Sequence, residues 1–384
     1  MVSVRQRPPM SARALSPNLP QRLLDNRHFG ELAATHPYEG IVTTDGRLEG
    51  LFPLKATGAP TEALLTAAHD LLGTLDPTAA SAATFAVDSP EWRKWSNVHP
   101  FMLRHGALIE DLDPVQRERA LALVTSALSE SGSRVMCDVM HLNETLRELT
   151  GSDEEYGEWL YWLSLMGTPS TSEPWGFQLD GHHMNLNCLC LGDQLVLSPW
   201  FLGSEPTCAE AGKYAGTRVF AEEEAAALQL AQSLSAEQRG RAVVSEATPL
   251  EVFGVAFKDN LTLDYEGLAF GELTPSQQER LVELISIYLG RIRPEHAAVK
   301  LGEVREHLEA TYFSWRGGLE DDSAFYFRIH SPVVLIEFDH LAGIAFDNDT
   351  PTRDHIHTVV RTPNGNDYGQ DLLRQHYAEA HAPR

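Results

Sequence analysis

The stretch Asp354-His355-Ile356-His357-Thr358-Val359-Val360-Arg361 has the alternation of a β-strand. Side chains two residues apart on a strand point to the same face. Three polar side chains therefore share one face: His355, His357 and Arg361. Two imidazoles that are about 6–7 Å apart along a strand can turn toward one ion. The stretch predicts both a strand of a half-polar sheet and the beginning of a metal site.

Two segments upstream extend this sheet. Tyr326–His330 and Leu335–Asp339 alternate in the same way, and the short link Ser331-Pro332 between them predicts a β-hairpin. The polar residues of the two segments fall on single faces: Arg328 and His330 on the first, Glu337 and Asp339 on the second. We expect them to gather on one side of an antiparallel sheet whose other side is core.

A second histidine pair follows a glycine in Gly181-His182-His183, inside the strand-like stretch Trp175–Leu191. Neighbouring residues of a regular strand face opposite sides, so only one of the two imidazoles can enter a given pocket unless Gly181 allows a bulge. The sequence leaves the choice between His182 and His183 open. The segments 161–166 and 194–200 are also strand-like, with Gly192-Asp193 as a tight turn.

Helical periodicity dominates residues 60–150 and returns at 222–234, 275–292, 294–308 and 369–380. The sequence thus predicts an α+β fold, with a mostly antiparallel or mixed β-sheet flanked by helices and a helical N-terminal part. We interpret residues 1–55 as an N-terminal arm and irregular leader and residues 56–384 as a single α+β domain. A boundary near residue 150 stays open.

The composition restricts the partners. The chain has 384 residues, 30 basic and 54 acidic, and a formal net charge of −24. This balance argues against nucleic acid or an anionic membrane surface as a partner, since both are bound mainly through clustered Lys and Arg. The sequence contains no run of about 18 apolar residues and no secretory signal, so we expect a cytoplasmic protein without a membrane span. A small-molecule substrate is the expected partner, and homo-oligomerisation is left open.

The four cysteines are too few for a disulfide framework, and we expect them to be reduced. Cys188 and Cys190 lie two apart in an apolar stretch, which favours buried structural thiols over a thiolate pair for a soft metal. The sequence contains no phosphate-binding loop, nucleophile elbow, dinucleotide fingerprint or His-Glu-x-x-His motif. These absences exclude the enzyme classes that such motifs identify.

The remaining candidates are metal ligands and polar groups around them. The predicted metal ligands are His182 or His183, His355, His357 and Glu337. Imidazole suits Fe, Cu and Zn, whereas Mg and Ca prefer oxygen, so we expect a transition metal, with Fe or Cu favoured and Zn as the alternative. The predicted catalytic residues are Glu337, Asp339, Arg328 and Arg361. Arg328 and Arg361 would bind a carboxylate or phosphate of the substrate. The carboxylate of Glu337 or Asp339 would orient an imidazole or act as a base.

Several phrases occur in an order that resembles a known bacterial family. They are Pro174-Trp175-Gly176-Phe177, Gly181-His182-His183, Phe201-Leu202-Gly203, Glu337-Phe338-Asp339, the His355 stretch with Arg361, and Asp367-Tyr368-Gly369. From about residue 60 to the end, the chain resembles the family catalogued as domain of unknown function 3500. The family name implies no activity. The resemblance implies that the Gly-His-His, Glu-x-Asp and His-x-His phrases belong to one shared pattern.

The sequence therefore favours a metal-dependent enzyme that acts on a small anionic, carboxylate-bearing molecule. A non-haem iron or copper oxidoreductase is the first hypothesis, because a redox-active ion could oxidise an acid held by Arg328 or Arg361. A zinc-dependent hydrolase is the alternative, with Glu337 or Asp339 as general base. A third hypothesis, a non-catalytic binder of a small anionic ligand, needs no metal.

Overall fold

The computed structural model describes residues 3–17, 19–98 and 100–380. The helices of this part are α1 Gln21–Thr35, α2 Glu62–Leu72, α3 Pro77–Ala83, α4 Pro114–Ser126, α5 Glu130–Thr150, α6 Ala221–Ser233, α7 Ala236–Ala242, α8 Pro275–Leu289, α9 Pro294–Glu306 and α10 Gln370–Ala380. The strands are β1 Ile41–Val42, β2 Thr84–Phe85, β3 Ala107–Leu108, β4 Tyr161–Met166, β5 Trp175–Gly181, β6 Met184–Leu191, β7 Gln194–Ser204, β8 Val243–Ser245, β9 Leu261–Thr262, β10 Leu268–Ala269, β11 Tyr312–Gly317, β12 Phe325–His330, β13 Leu335–Leu341 and β14 Thr352–Arg361.

Twelve of these strands form one mixed sheet, which confirms the predicted α+β fold. Its order is β10-β11-β12-β13-β14-β7-β6-β5-β4-β2, with β3 beside β4 and β8 beside β11. All pairs among β4–β7 and β11–β14 are antiparallel, and β2 and β8 add parallel pairs at the two ends. Strand β14 lies between β13 and β7, so the C-terminal His-x-His stretch is at the centre of the sheet. The short strands β1 and β9 form a separate parallel pair.

Side-chain caps explain where two of the helices, α4 and α7, begin. The Asp113 side chain accepts hydrogen bonds from the N–H groups of Val115 and Gln116, and Gln116 bonds back to the Asp113 N–H before α4. Ser235 and Gln238 form the same reciprocal pair before α7. Each pair satisfies donors that the first helical turn leaves without intrahelical partners.

Helix α1 was not predicted and lies in the stretch interpreted as an irregular leader. Its apolar residues do not form one buried stripe: Leu23 and Ala34 are buried, but Leu24, Phe29 and Leu32 are exposed. A helix without an apolar stripe has no periodic signal in its sequence. No helix in the described part of the chain combines the length and apolar character that a membrane crossing needs.

The first face of the sheet is apolar and packs against helices. Residues of its strands and of helices α2, α4, α5, α6, α8 and α9 share one hydrophobic core. Cys188 and Cys190 lie in this core as free thiols, as expected of structural cysteines. Phe338 of β13 is fully buried there, with its ring 5.5 Å from Phe325 and 5.4 Å from Phe327, centroid to centroid. These rings supply a large part of the apolar area at this point of the sheet.

The second face of the same sheet is also buried and combines many polar side chains with a second apolar cluster that includes Phe201 and Val359. It carries Ser164, Gln178, Asp180, Asn185, Asn187, Arg328, Glu337, Asp339, His355, His357 and Arg361. The segments that cover it have little regular structure. Gln178 donates to the Trp92 carbonyl, and Glu337 accepts from the N–H groups of Phe253 and Gly254. Backbone groups buried outside a helix or sheet need such partners, which explains why this face is polar.

The aromatic stack of the apolar face gives a test of the fold. We expect Phe338→Ala to lower the free energy of unfolding by about 3–5 kcal/mol, because it leaves a cavity between Phe325 and Phe327. The exposed Leu149→Ala in α5 is the control and should change it by less than about 0.5 kcal/mol. Urea unfolding followed by tryptophan fluorescence measures both. Equal effects of the two substitutions would contradict this packing.

Candidate metal centre

The first imidazole comes from the tight turn between β5 and β6. Gly181 pairs with Met184, so His182 and His183 are the two turn residues rather than part of a bulged strand. His183 has φ +59°, a left-handed conformation that costs free energy for a residue with a side chain. Its N–H donates to the Asn97 carbonyl at 3.1 Å, and its carbonyl accepts from the Gly203 N–H at 2.7 Å. These two bonds hold the turn in place.

The second and third imidazoles come from β14. His355 and His357 lie on the polar face, and His357 is opposite Gly203 of β7. A Cβ atom at position 203 would lie 2.7 Å from His357 Cδ2 and 3.0 Å from His183 Cδ2, both too close. Glycine at 203 therefore makes room for rings from two separate segments.

The three imidazoles converge through their Nε2 atoms. His183 Nε2 lies 3.3 Å from His355 Nε2, which lies 3.1 Å from His357 Nε2. One ring nitrogen of each residue is within 4.8 Å of the others, and all three residues are buried. The arrangement brings the predicted ligands His183, His355 and His357 together and could hold one metal ion.

The opposite nitrogens of the β14 histidines have partners of their own. His355 Nδ1 is 2.8 Å from the Ala342 carbonyl oxygen, and His357 Nδ1 is 2.7 Å from Glu251 Oε1. A carbonyl or carboxylate oxygen only accepts, so both Nδ1 atoms carry the hydrogen. Burial, and then the charge of His357, lower the pKa of His355 to about 4. His355 is therefore neutral at pH 7, with a lone pair on Nε2.

His182 supports the cluster without joining it. Its Nδ1 is 2.8 Å from Asn143 Oδ1, and its ring stacks on that of His183 with centroids 3.9 Å apart. It is not among the three residues whose ligand atoms converge. The turn thus decides between the two candidates, with His183 at the cluster and His182 behind it.

Glu337 does not meet the imidazoles either. Its carboxylate accepts from Phe253 N–H at 2.9 Å, Gly254 N–H at 2.7 Å and the Tyr326 hydroxyl at 2.5 Å. The two bonds from the backbone fix the segment that carries Glu251, the carboxylate that does contact His357. Glu337 therefore acts on the cluster through Glu251. Sequence reasoning missed Glu251 because it lies in an irregular segment 106 residues from His357, with no strand pattern to align them.

The two predicted catalytic arginines are bound to other groups of the protein. Arg361 donates to Asp367, Asp259 and the Gly254 carbonyl, each at 2.8 Å. Arg328 pairs with Glu266 at 2.7 Å and donates to the Asp264 carbonyl. A buried guanidinium needs such partners to compensate for its lost hydration. Neither arginine lines the cavity beside the histidines.

His330, which the sequence places on the polar face of its strand, lies away from the cluster, with its ring centroid 4.6 Å from that of Tyr265. Desolvation and the charge of Arg328 lower its pKa to about 3. It is therefore a neutral buried histidine.

Asp339 is opposite His357 in the register of β13 and β14. Its side chain is fully buried, and neither oxygen has a side-chain hydrogen-bond partner among the described residues. Burial, with the charges of Glu251 and Glu337, raises the pKa of Asp339 to about 10. The group is therefore a neutral carboxylic acid at pH 7.

A cavity of about 340 Å³ opens beside the Nε2 atoms. Tyr156, Leu250, Leu341 and Ile344 are among its walls. Glu205 also lines it and accepts hydrogen bonds from the N–H groups of residues 344, 345 and 346, which fixes the loop that presents the Ala342 carbonyl to His355. A volume of this order admits a small molecule next to the imidazoles.

The protonated Asp339 predicts an unusual pH dependence of stability. The folded protein keeps this proton up to about pH 10, whereas the unfolded chain releases it near pH 4. Between these pH values only the unfolded state gains from ionisation of Asp339, so the free energy of unfolding falls as pH rises. We expect Asp339→Asn to be more stable than the wild type at pH 8, by about 1 kcal/mol or more, with a smaller difference at pH 5. Urea unfolding with a chelator present measures this. A variant that is less stable at both pH values would contradict a neutral Asp339.

Comparison with curated proteins and with solved structures finds no match for this chain. A family model does match, over residues 57–370, which include the turn at His183, strand β14 and Glu251. The match covers most of the chain and confirms the resemblance seen in the sequence. The chain belongs to the family described as protein of unknown function (DUF3500).

Proposed function

We propose that this protein is a metal-dependent enzyme in which His183, His355 and His357 bind one transition metal ion. The observation that carries this proposal is the close approach of the Nε2 atoms, 3.1 Å between His355 and His357. Both residues use Nδ1–H as a donor to another group, so the neutral form of each ring has its lone pair on Nε2. Two lone pairs at this distance repel each other unless a cation lies between them.

A metal ion satisfies this constraint better than a proton. A proton can bridge only one pair of nitrogens, whereas three imidazoles converge here. Nitrogen ligands that are each about 2.1 Å from one ion lie roughly 3.0–3.4 Å from one another. Two of the three distances, 3.1 and 3.3 Å, fall in this range, and the third, between His183 and His357, is within 4.8 Å. The bonds from Nδ1 to Ala342 and Glu251 resemble those that orient metal-binding imidazoles in known sites.

The neighbouring carboxylates favour an oxidoreductase over a hydrolase. A zinc hydrolase needs a carboxylate or a similar base that is free to take a proton from water. Three carboxylates line the cavity, and each has another partner: Glu205 binds backbone N–H groups, Glu251 binds His357 and Asp349 binds Arg5. Iron or copper is therefore our first choice of metal, as imidazole ligands allow. Zinc hydrolysis and metal-free binding of an anion remain as alternatives.

The substrate that we propose is a small anionic, carboxylate-bearing molecule. The cavity beside the histidines adjoins a larger cleft, and the described residues that line this cleft include Arg5, Arg7, Arg22 and Lys258. Arg5 and Arg7 pair with Asp349 and Glu155, which leaves Arg22 and Lys258 without a carboxylate partner among the described residues. In a chain with 54 acidic and 30 basic residues, two such cations in one cleft favour an anion. Arg328 and Arg361 take no part in this proposal, because they are bound within the sheet.

Metal content tests the proposal directly. We expect protein from cells grown with iron, copper and zinc to contain about one ion per chain, and His355→Ala/His357→Ala to contain less than about a tenth of that. His28→Ala/His69→Ala removes two exposed histidines and is the matched control with unchanged content. Elemental analysis of the purified proteins measures this. Bound zinc would favour the hydrolase, and a wild type that takes up none of the three metals would refute the proposal.

Glu251 gives a second, independent test. We expect Glu251→Gln to weaken metal affinity about 10- to 100-fold, because the amide orients His357 Nδ1 less strongly than the carboxylate does. The exposed Glu237→Gln in α7 is the control and should bind like the wild type. Competition with a chromophoric chelator gives both affinities. Equal affinities of Glu251→Gln and the wild type would show that Glu251 does not orient a ligand.

A further inference from the structure

The larger cleft, with a volume of about 630 Å³, adjoins the cavity beside the histidines. Among the described residues, five line both spaces: Asn97, Val98, Leu250, Glu251 and Ile344. A ligand in the cleft can therefore extend to the imidazoles. The combined site is large enough for an elongated small molecule rather than a single small acid.

The N-terminal arm builds one wall of this cleft. Of the 22 described residues that line it, nine belong to residues 5–29, which precede the range matched by the family model. The arm is anchored on both sides of the histidine cavity. Arg5 N–H donates to the Ala345 carbonyl at 2.8 Å, and the Arg7 guanidinium pairs with Glu155 at 2.7 Å. These two contacts hold the arm beside the histidine cavity.

Two of the four cleft cations are left for a ligand. Arg5 and Arg7 are paired with carboxylates of the protein, Asp349 and Glu155. Arg22 and Lys258 are exposed, and neither forms an ion pair with any residue that the structure describes. The Lys258 ammonium lies 5.1 Å from the centroid of the Phe29 ring, which also lines the cleft. Both cations lie outside the part that the cleft shares with the histidine cavity.

Exposed apolar side chains connect these cations to the histidines. Phe29 is 47% exposed, Leu250 97% and Ile344 44%, and all three line the cleft. Leu250 and Ile344 also line the histidine cavity, so the apolar surface continues toward the imidazoles. Apolar side chains that are exposed inside a concave site are typical of a surface that binds an apolar ligand.

We propose that the cleft binds an amphipathic carboxylic acid, with its carboxylate at Arg22 and Lys258 and its apolar chain along Phe29, Leu250 and Ile344. This deepens the proposed function and rests on it for the reaction, because the end of the chain remote from the carboxylate lies nearest to the imidazoles. Arg22 and Lys258 are then specificity-determining residues, and the arm selects the substrate.

Decanoate binding to the purified protein tests this proposal, with decyltrimethylammonium as the cationic probe of similar chain length. We expect saturable decanoate binding by calorimetry and at least about tenfold weaker binding of the cation. Arg22→Glu/Lys258→Glu should weaken decanoate binding at least about tenfold. The decanoate affinity of Arg22→Gln/Lys258→Gln should lie between the affinities of this variant and of the wild type. Lys55→Glu/Arg305→Glu changes the net charge equally at exposed positions outside the cleft and should bind like the wild type.

Metal content, measured on the same samples, separates the two proposals. If decanoate binding depends on the cleft charges but the metal content is at background level, the cleft proposal is supported and the metal centre is refuted. Stoichiometric metal with no saturable decanoate binding refutes the cleft alone. The cleft proposal is also overturned if Arg22→Glu/Lys258→Glu binds decanoate as tightly as the control variant does. It is likewise overturned if the wild type binds decyltrimethylammonium as tightly as decanoate.

Discussion

The structure depends on buried carboxylates that hold irregular backbone against the polar face of the sheet. Asp180 accepts from the Ser96 N–H and pairs with the buried Arg104, and Glu337 accepts from Phe253 and Gly254. Glu205 does the same for residues 344–346 at the edge of the site. The bonds to Ser96, Phe253, Gly254 and residues 344–346 satisfy backbone N–H groups that the absence of regular structure leaves unpaired. They fix the covering segments against the sheet.

The histidine cluster is a consequence of this arrangement. The fixed segments present Asn97 to the turn at His183, Ala342 to His355 and Glu251 to His357. The two hydrogen bonds to Nδ1 leave both Nε2 lone pairs on the same side, where the rings meet. Preorganisation of this kind reduces the entropy that ligands lose when they bind an ion.

Strand alternation was enough to predict the central features of the fold. It assigned His355 and His357 to one face of β14 and Glu337 and Asp339 to one face of β13, as observed. It could not choose between His182 and His183, because the choice depends on a two-residue turn and on the space that Gly203 leaves in a strand 20 residues later. Local sequence contains no signal for such a contact.

Electrostatic roles were harder to predict than positions. Arg328 and Arg361 lie on the polar face as expected, but a guanidinium so deeply buried is stabilised by nearby carboxylates and carbonyls, so these two are committed to the sheet. The cleft cations that form no ion pair with a described residue, Arg22 and Lys258, lie instead on α1 and on an irregular loop. Neither segment has the periodicity that would have revealed its place beside the site.

Anomalous diffraction from a crystal of the protein soaked with a transition metal ion would test the metal centre most directly. We expect one strong anomalous peak about 2.1 Å from the Nε2 atoms of His183, His355 and His357, with the Nδ1 bonds to Ala342 and Glu251 intact. A well-ordered crystal without a peak between these three nitrogens, or with the ion on other ligands, would contradict it.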